Sequence, residues 1–517
     1  MALSDIQMNR RDFLITSAAL SAVQLRGSGS NPQDHHLPAT DSHYQRVRSY
    51  VEDTPVPEYR WASPKAYEAF RDMKFGVRIH WGIYSVAGYQ KESWPFLSKS
   101  FAERHQYNNI YKTWNPTGFD AAEWMNLFSD SGLKMFAFTT KHHEGFSMFD
   151  TKTRVHSRAN WTAPGGPKME ACNLAYSIME TPFKRDIVGE LCQAAHKRNL
   201  KIALYFSHPD WYDADFRPYV YHPLQVPSSQ ILDPNCKGMK ERLGDRMVVV
   251  PDPTPAEVNR MIMRHRTQLE ELLTNYGHID MLSLDMWLGP SVWPQLRQTI
   301  LTLRKLQPDV MLRARGIGNY GDYYTPEGFV PGNKENTNTP WMVIYPLAQG
   351  FSYDPDPAHY KGTGWIVSNL IDTVAKGGSL QVGIGPDATG RFHPSAVEQL
   401  KDTGRWLKVN GEGIDNTRPR DGSLWAEGGD VRFSRTKDRR YIYAFAQKWP
   451  GASFTLASVK ARTGSHVRML GVPDPLNWRN DPGRGLIIDL PEHLQDESKR
   501  PCRYAYCFRI EGTDQGS

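Results

Sequence analysis

Phe75-Gly76-Val77-Arg78-Ile79-His80-Trp81 is a short apolar run that ends in polar, chemically able side chains. The pattern returns five times. It is found at Met135-Phe136-Ala137-Phe138-Thr139-Thr140-Lys141-His142-His143, at Lys201-Ile202-Ala203-Leu204-Tyr205-Phe206-Ser207 and at Met281-Leu282-Ser283-Leu284-Asp285. Val310-Met311-Leu312-Arg313-Ala314-Arg315-Gly316 and Ser379-Leu380-Gln381-Val382-Gly383-Ile384-Gly385 complete the set. Runs of this length and composition fit strands buried on both faces. Helical patterns lie between them, over Asp120 to Gly132, Lys184 to Asn199 and Thr254 to Tyr276. Alternation of strand and helix from Phe75 to Trp406 predicts an α/β fold, a parallel sheet closed into a (β/α)8-like TIM barrel over residues 49–413. A doubly wound open sheet is the other arrangement, but no Gly-rich phosphate loop follows the first strand.

The character changes near Gly413. Short alternating runs at Val431-Arg432-Phe433, Tyr441 to Phe445, Ser453 to Leu456, Val467 to Leu470, Leu486 to Leu490 and Tyr504 to Phe508 predict a C-terminal antiparallel β-sandwich, residues 414–517. Two long insertions, Thr153 to Pro182 and Tyr212 to Pro253, each follow a strand end. They should decorate the C-terminal rim of the barrel, where substrates enter.

The chain has 517 residues, 39% hydrophobic and 23% charged, with a net charge of +6 and no long Lys/Arg run. That composition gives ample core and no nucleic-acid footprint; the small positive excess suits an anionic glycan. Asn9-Arg10-Arg11-Asp12-Phe13-Leu14 precedes a mild apolar run and resembles a twin-arginine export signal. Residues 1–30 are read as that signal, 31–48 as a linker, and the protein as exported, periplasmic or extracellular. The apolar run is too short to span a bilayer, so no membrane insertion is expected. The oligomeric state is not legible. The five cysteines contain no C-x-x-C pair; Cys502 and Cys507 could pair if they lie on neighbouring backbone, and free buried thiols are the ordinary reading.

Reactive groups in such a barrel sit where strands end. Those ends supply His80, His142, His143, Tyr205, Asp285 and Arg315. Adjacent residues on an extended strand point apart, so a metal held by His142 and His143 is not expected; neither is a cofactor. A carboxylate among many donors and acceptors suits sugar hydroxyls. Asp285 ends an apolar strand, where an ionised carboxylate needs a task or a partner. It is the candidate nucleophile, with Arg315 as its ion-pair partner. A glycosidase needs a second carboxyl to protonate the leaving oxygen. Glu327 is the first choice and Glu335 the second. Glu92 and Glu144 are rim carboxylates, and Glu92 and Trp94 join the candidate sugar contacts.

These residues resemble glycoside hydrolase family 29, the retaining α-L-fucosidases. Lys74 to Val86 is similar to the family's K-F-G-[IV]-x-[IF]-H-W-G-x-Y-S-V segment, and Thr140 to Phe146 to T-[AT]-K-H-H-[DE]-G-F. Arg185 to Leu191, Gly321-Asp322-Tyr323, Thr325-Pro326-Glu327, Ile371 to Gly378 and Gly404 to Glu412 continue the match in family order. The resemblance implies that His80, His142 and His143 bind the fucose hydroxyls and that Tyr205 sits beside the anomeric centre. It makes Asp285 the nucleophile and Arg315 a neighbour ordering the acid/base side. Phe351 becomes part of the wall against the C6 methyl. The T-P-E stretch selects Glu327 as acid/base, because the alternative W-E position reads Trp341-Met342. A retaining pair stands about 5–5.5 Å apart.

One strand departs from the family. Its nucleophile strand usually reads L-W-F-D-G; here Leu282-Ser283-Leu284-Asp285-Met286 replaces the Trp by Ser and the Gly by Met. Loss of the Trp predicts a wider or more polar pocket. The expected activity is retaining exo-hydrolysis of terminal α-L-fucosyl linkages in a fucosylated oligosaccharide or polysaccharide. The alternatives are the same mechanism on an L-galactose-configured or sulfated fucose residue, and an inactive sugar-binding homologue.

Overall fold

The computed structural model describes residues 36–39, 41–217, 219, 221–227, 248–326 and 339–514. Seven parallel strands form one sheet: β1 (Phe75–Ile79), β2 (Met135–Lys141), β3 (Lys201–Ser207), β4 (Met281–Asp285), β5 (Met311–Leu312), β6 (Met342–Pro346) and β7 (Ser379–Ile384). Their order is β6-β7-β1-β2-β3-β4-β5. The ring closes through Tyr323 and Tyr324, which bridge in parallel to Arg313 and Trp341. Met342 N–H donates to the Tyr324 carbonyl at 3.1 Å and Ala314 N–H to the Tyr323 carbonyl at 2.9 Å. The eighth stave is thus two residues long, and the fold is a (β/α)8-like barrel.

Helices α1 (Ala121–Asp130), α2 (Ile187–Lys197), α3 (Pro255–Thr274), α4 (Trp293–Leu306), α5 (Thr363–Ala375) and α6 (Pro394–Asn410) follow the strands. Their starts come from local chemistry. Asp120 and Asp186 cap α1 and α2 through their carboxylates, and Thr254 with Glu257 forms a capping box on α3. The helix Pro64–Asp72 plugs the bottom of the barrel. Its Tyr67 and Phe70 pack with Met135, Ala203, Met281, Met311 and Met342.

The N-terminal linker reading needs correction. Asp41 caps a helix over Ser42–Val47, and Leu37, Tyr44 and Val47 are buried in the main core. Leu37 N–H donates to Asn319 Oδ1 at 3.1 Å, and Thr339 Oγ1 donates to the His36 carbonyl at 3.1 Å. The Gly/Ser/Pro/His composition of the stretch conceals two large apolar side chains at helical spacing. The export-signal reading, residues 1–30, lies outside the described residues. No helix among the described residues is long and apolar enough to cross a membrane.

The C-terminal region is a pair of antiparallel sheets. One joins Ala426–Glu427, Val431–Arg435, Tyr441–Ala446, Tyr506–Asp514 and Val459–Ala461, with Arg468–Met469 also paired to Tyr506–Asp514. The other is Ser453–Leu456, Gly485–Asp489 and Asn477–Asp481. Phe433, Phe454, Leu486, Ile488 and Phe508 fill the space between them. Cys502 and Cys507 are both free thiols, so the candidate disulfide is not formed. Cys507 is buried in the main core, while the Cys502 thiol donates to the Ala505 carbonyl at 3.3 Å.

Both insertions lie where expected along the chain, each after a strand end. The first folds into a hairpin, Val155–Asn160 with Lys168–Leu174. The second contributes Tyr212, whose ring stacks on Tyr176 at 3.5 Å between centroids and whose hydroxyl accepts from Arg158 Nη1 at 2.7 Å. The two insertions therefore brace each other.

Candidate active site

Strand ends set the geometry. Asp285 is the last residue of β4, on the same face as Ser283 because alternate strand residues share a face. Arg315 Nη1 donates to Asp285 Oδ1 at 2.8 Å, and Tyr205 OH, from β3, donates to Oδ2 at 2.6 Å. Arg313 Nη1 stands 3.5 Å from Oδ1. Burial alone pushes this carboxyl up. Arg315 and Arg313 outweigh that, and Asp285 is held well below the usual carboxylate range. Burial and the Asp285 charge in turn keep the Tyr205 phenol protonated.

The three histidines gather around this carboxylate. His80 follows β1, and its ring lies 5.7 Å from Tyr205 and 5.9 Å from His142 between centroids. His142 Nδ1 is 2.6 Å from Ser93 Oγ, and His143 Nδ1 is 2.8 Å from Ser207 Oγ. Ser207 Oγ is also 3.0 Å from Tyr205 OH, so a continuous polar chain runs from Asp285 to His143. His142 and His143 do not point apart. Strand β2 ends at Lys141, the chain turns, and their rings lie 4.1 Å apart. Burial, then neighbouring positive groups, drives His80 and His143 well below the ordinary imidazole range, so both are neutral. His80 Nδ1 is buried with no hydrogen-bond partner among the described residues. A buried polar atom of that kind is open to a partner from outside the protein, such as water or a ligand. Among the described residues no group of three or more His, Cys, Asp or Glu could hold a metal.

A second set of contacts fixes His143 from behind. Trp211 N–H donates to its carbonyl at 2.8 Å. The loop carrying Trp211 is tied by Asp210, which accepts from Arg264 Nη1 at 2.6 Å and faces buried Lys141 at 3.7 Å. Burial lowers Lys141 to about 8.

The walls are aromatic. The Phe351 ring lies 4.9 Å from His80, and Trp94 meets His143 edge-on at 4.9 Å. Glu92 is buried beside them, accepting from Phe351 N–H at 3.0 Å and adopting a positive φ of 47°. Burial pushes its carboxyl up to about 7, against the nearby His142. The folded protein therefore binds a proton that the unfolded chain, at the ordinary value of 4.5, has released. This contribution is complete below the ordinary value and is lost as pH rises through about 7. Between pH 5.5 and 8 the wild type is expected to lose melting temperature relative to Glu92→Gln. Parallel curves for the two proteins would show that Glu92 is ionised throughout.

Glu327 and Glu335, the two acid/base choices, lie outside the described residues. The stretch leading to Glu327 is placed: Arg315 Nη2 donates to the Thr325 carbonyl at 3.2 Å and Arg313 Nε to Thr325 Oγ1 at 2.7 Å. Glu144 stands 3.5 Å from His142 Nδ1, behind the ring rather than on the rim. The departures in β4 are accommodated. Ser283 is buried and engaged on both sides, by Arg78 Nη2 at 3.2 Å and Tyr323 OH at 2.8 Å, so the change is toward polarity. Met286 takes φ 62°, a left-handed backbone that glycine adopts without cost.

Several site residues were not singled out from the sequence. Ser207 could have been, since it ends β3 two residues past Tyr205. Arg78 carried a signal too, as the one charge inside an apolar strand. Arg46, whose guanidinium lies 5.1 Å over the Trp287 ring just past Asp285, carried none.

Residues 48–412 match the family model "Alpha-L-fucosidase", and residues 427–511 match "Alpha-L-fucosidase C-terminal domain". The chain is 27% identical to human plasma α-L-fucosidase over 471 residues, 85% of this chain and 89% of that protein. It is 27% identical to human tissue α-L-fucosidase over 501 residues, 90% and 93% of the two chains. Among solved structures it shares the fold of α-L-fucosidase isoenzyme 1 from Paenibacillus thiaminolyticus (TM-score 0.67, 23% identity, 87% of this chain and 99% of that one). It also shares the fold of a Bacteroides thetaiotaomicron α-L-fucosidase trapped as a covalent intermediate (TM-score 0.67, 21% identity, 90% and 99%). A match that runs through barrel and C-terminal domain alike leaves one assignment: the chain belongs to the α-L-fucosidase family of glycoside hydrolases.

Proposed function

We propose that this protein is a retaining exo-α-L-fucosidase in which Asp285 is the nucleophile and Glu327 the acid/base. The observation that supports it is the Asp285 carboxylate itself. It is buried at a strand end, kept ionised by Arg315 at 2.8 Å and oriented by Tyr205 at 2.6 Å. Each donor takes one oxygen and leaves lone pairs for attack on the anomeric carbon. Glu327 gives its proton to the leaving oxygen as the Asp285–sugar ester forms. Water then attacks the ester, Glu327 takes its proton, and the sugar leaves with its original anomeric configuration. His142 and His143, held from behind by Ser93 and Ser207, offer their remaining ring nitrogens to the sugar hydroxyls. The covalent intermediate trapped in the Bacteroides enzyme fits this course. The substrate is a terminal α-L-fucosyl residue on an oligosaccharide or polysaccharide, and the Arg10-Arg11 segment supports a reading of the enzyme as exported.

Azide separates the two carboxyl roles. With an aryl α-L-fucoside, Glu327→Ala is expected to be slow and to be accelerated by azide, giving α-L-fucosyl azide. An Asp285 variant accelerated in the same way gives the β-azide. If Glu327→Ala keeps its activity on a poor leaving group without azide, the acid/base is another residue, and Glu335 is tested next.

A further inference from the structure

Arg78 lies in the middle of β1, two residues below His80, in a strand that is otherwise apolar. Residues two apart share a face, so Arg78 points into the barrel beneath His80. Ser283 stands in the same relation to Asp285. Arg78 Nη2 donates to Ser283 Oγ at 3.2 Å and Nε to Gln381 Oε1 at 3.3 Å, while its guanidinium lies 5.3 Å over the Tyr205 ring. All three partners are neutral. Asp285, the carboxylate above, is already engaged by Arg315 at 2.8 Å and Arg313 at 3.5 Å. Burial, with Arg313 adding to it, lowers the Arg78 guanidinium to about 10, so it remains a cation. Buried guanidinium groups are ordinarily met by an anion or by a full set of acceptors.

The position of this cation relates it to one corner of the sugar. Arg78 is the register partner of Gly383 across β1 and β7, and parallel partners point the same way. A Cβ on Gly383 would stand 2.2 Å from Phe351 Cδ1, so the Phe351 ring lies directly over Gly383 and beside Arg78. Phe351 is the residue that family resemblance sets against C6 of the sugar. The C6 corner therefore joins an aromatic wall to a guanidinium floor, where Ser283 has replaced a large apolar ring.

We propose that Arg78 is a specificity-determining residue that donates a hydrogen bond to an oxygen on C6 of the bound sugar, so that this enzyme hydrolyses α-L-galactosides at least as well as α-L-fucosides. This rests on the retaining-glycosidase reading above and adds the substrate class. The two sugars differ only by the C6 oxygen, and a C6 sulfate presents the same acceptor with a charge. An apolar corner, by contrast, rejects an added hydroxyl by about 100-fold at most.

The test compares kcat/KM for matched aryl α-L-galactoside and α-L-fucoside. The wild-type ratio is expected to be one or more, and to fall by about tenfold or more in Arg78→Leu, as loss of a charged donor to a hydroxyl implies. A wild-type ratio below one overturns the proposal, as does a ratio unchanged in Arg78→Leu. Should that variant not fold, the wild-type ratio decides. If neither glycoside is hydrolysed, the retaining-glycosidase reading fails separately, and thermal shift of the wild type with free sugars decides this proposal. A larger shift with L-galactose than with L-fucose supports it; an equal or smaller one overturns it. A C6-sulfated α-L-galactoside then tells a neutral acceptor from a charged one.

Discussion

Asp285→Asn is expected to lower kcat/KM on an aryl α-L-fucoside by at least about 10⁴-fold, the scale at which loss of a covalent catalyst is felt. The asparagine keeps the shape of the side chain and an acceptor for Arg315 or Tyr205, so the fold should persist. Asp285→Ala should lose as much activity and stability besides. Arg313 and Arg315 converge on this carboxylate, and removing one partner of a buried ion pair leaves uncompensated charge, at about 3–5 kcal/mol. Both variants remove the charge and so both lose stability, the asparagine less because it keeps an acceptor for Arg315 or Tyr205. A fully active Asp285→Asn would remove Asp285 from the chemistry.

Asp322→Ala is expected to cost about 3–5 kcal/mol of stability without touching a reacting group. Asp322 is fully buried and accepts from Tyr67 OH at 2.9 Å, Ala62 N–H at 3.0 Å and Leu312 N–H at 2.7 Å, and it is paired with Arg304. It therefore ties the bottom plug, β5 and α4 to the two-residue stave that closes the barrel. Gly321 beside it has no room for a side chain: a Cβ would meet Ala314 Cα at 2.3 Å. The measurement is a denaturant midpoint with an unchanged slope. A midpoint within 0.5 kcal/mol of wild type would show that closure does not depend on Asp322.

The sequence made the barrel legible where strands are long, apolar and continuous. β1 to β4 and β7 were placed within about two residues. The fifth run was expected to continue to Gly316. Its ladder to β4 covers only Met311–Leu312, because Arg313 and Arg315 turn toward Asp285 and the chain bends back through Gly321. The closing stave, Tyr323–Tyr324, was invisible as a strand, since two residues show no periodicity. In the C-terminal domain Asn477–Asp481 was missed for a similar reason. It is a polar edge strand whose pairing to Gly485–Asp489 is set by the partner and a turn. Tyr506–Asp514 runs past the predicted end because Glu511 to Asp514 alternate too weakly to be read.

The site was legible to the extent that its residues end strands. Asp285, Tyr205, Arg315 and the three histidines were all named from that rule, and the structure brings them together. The expectation that His142 and His143 point apart fails because both lie past the end of β2 at Lys141. Arg78 has no role legible in the sequence, since a charge inside an apolar run reads as an irregularity until its partners are known. The helix at Ser42–Val47 gave too short a pattern to separate it from a linker.

The central claim, covalent catalysis by Asp285 on an α-L-fucosyl group, is tested most directly by trapping the intermediate. The purified enzyme is treated with 2-deoxy-2-fluoro-α-L-fucosyl fluoride, digested, and mapped by mass spectrometry. The account predicts one fluorofucosyl adduct per chain, carried by Asp285, with activity lost in proportion. An adduct on any other residue, or turnover with an inverted product and no adduct, would contradict it.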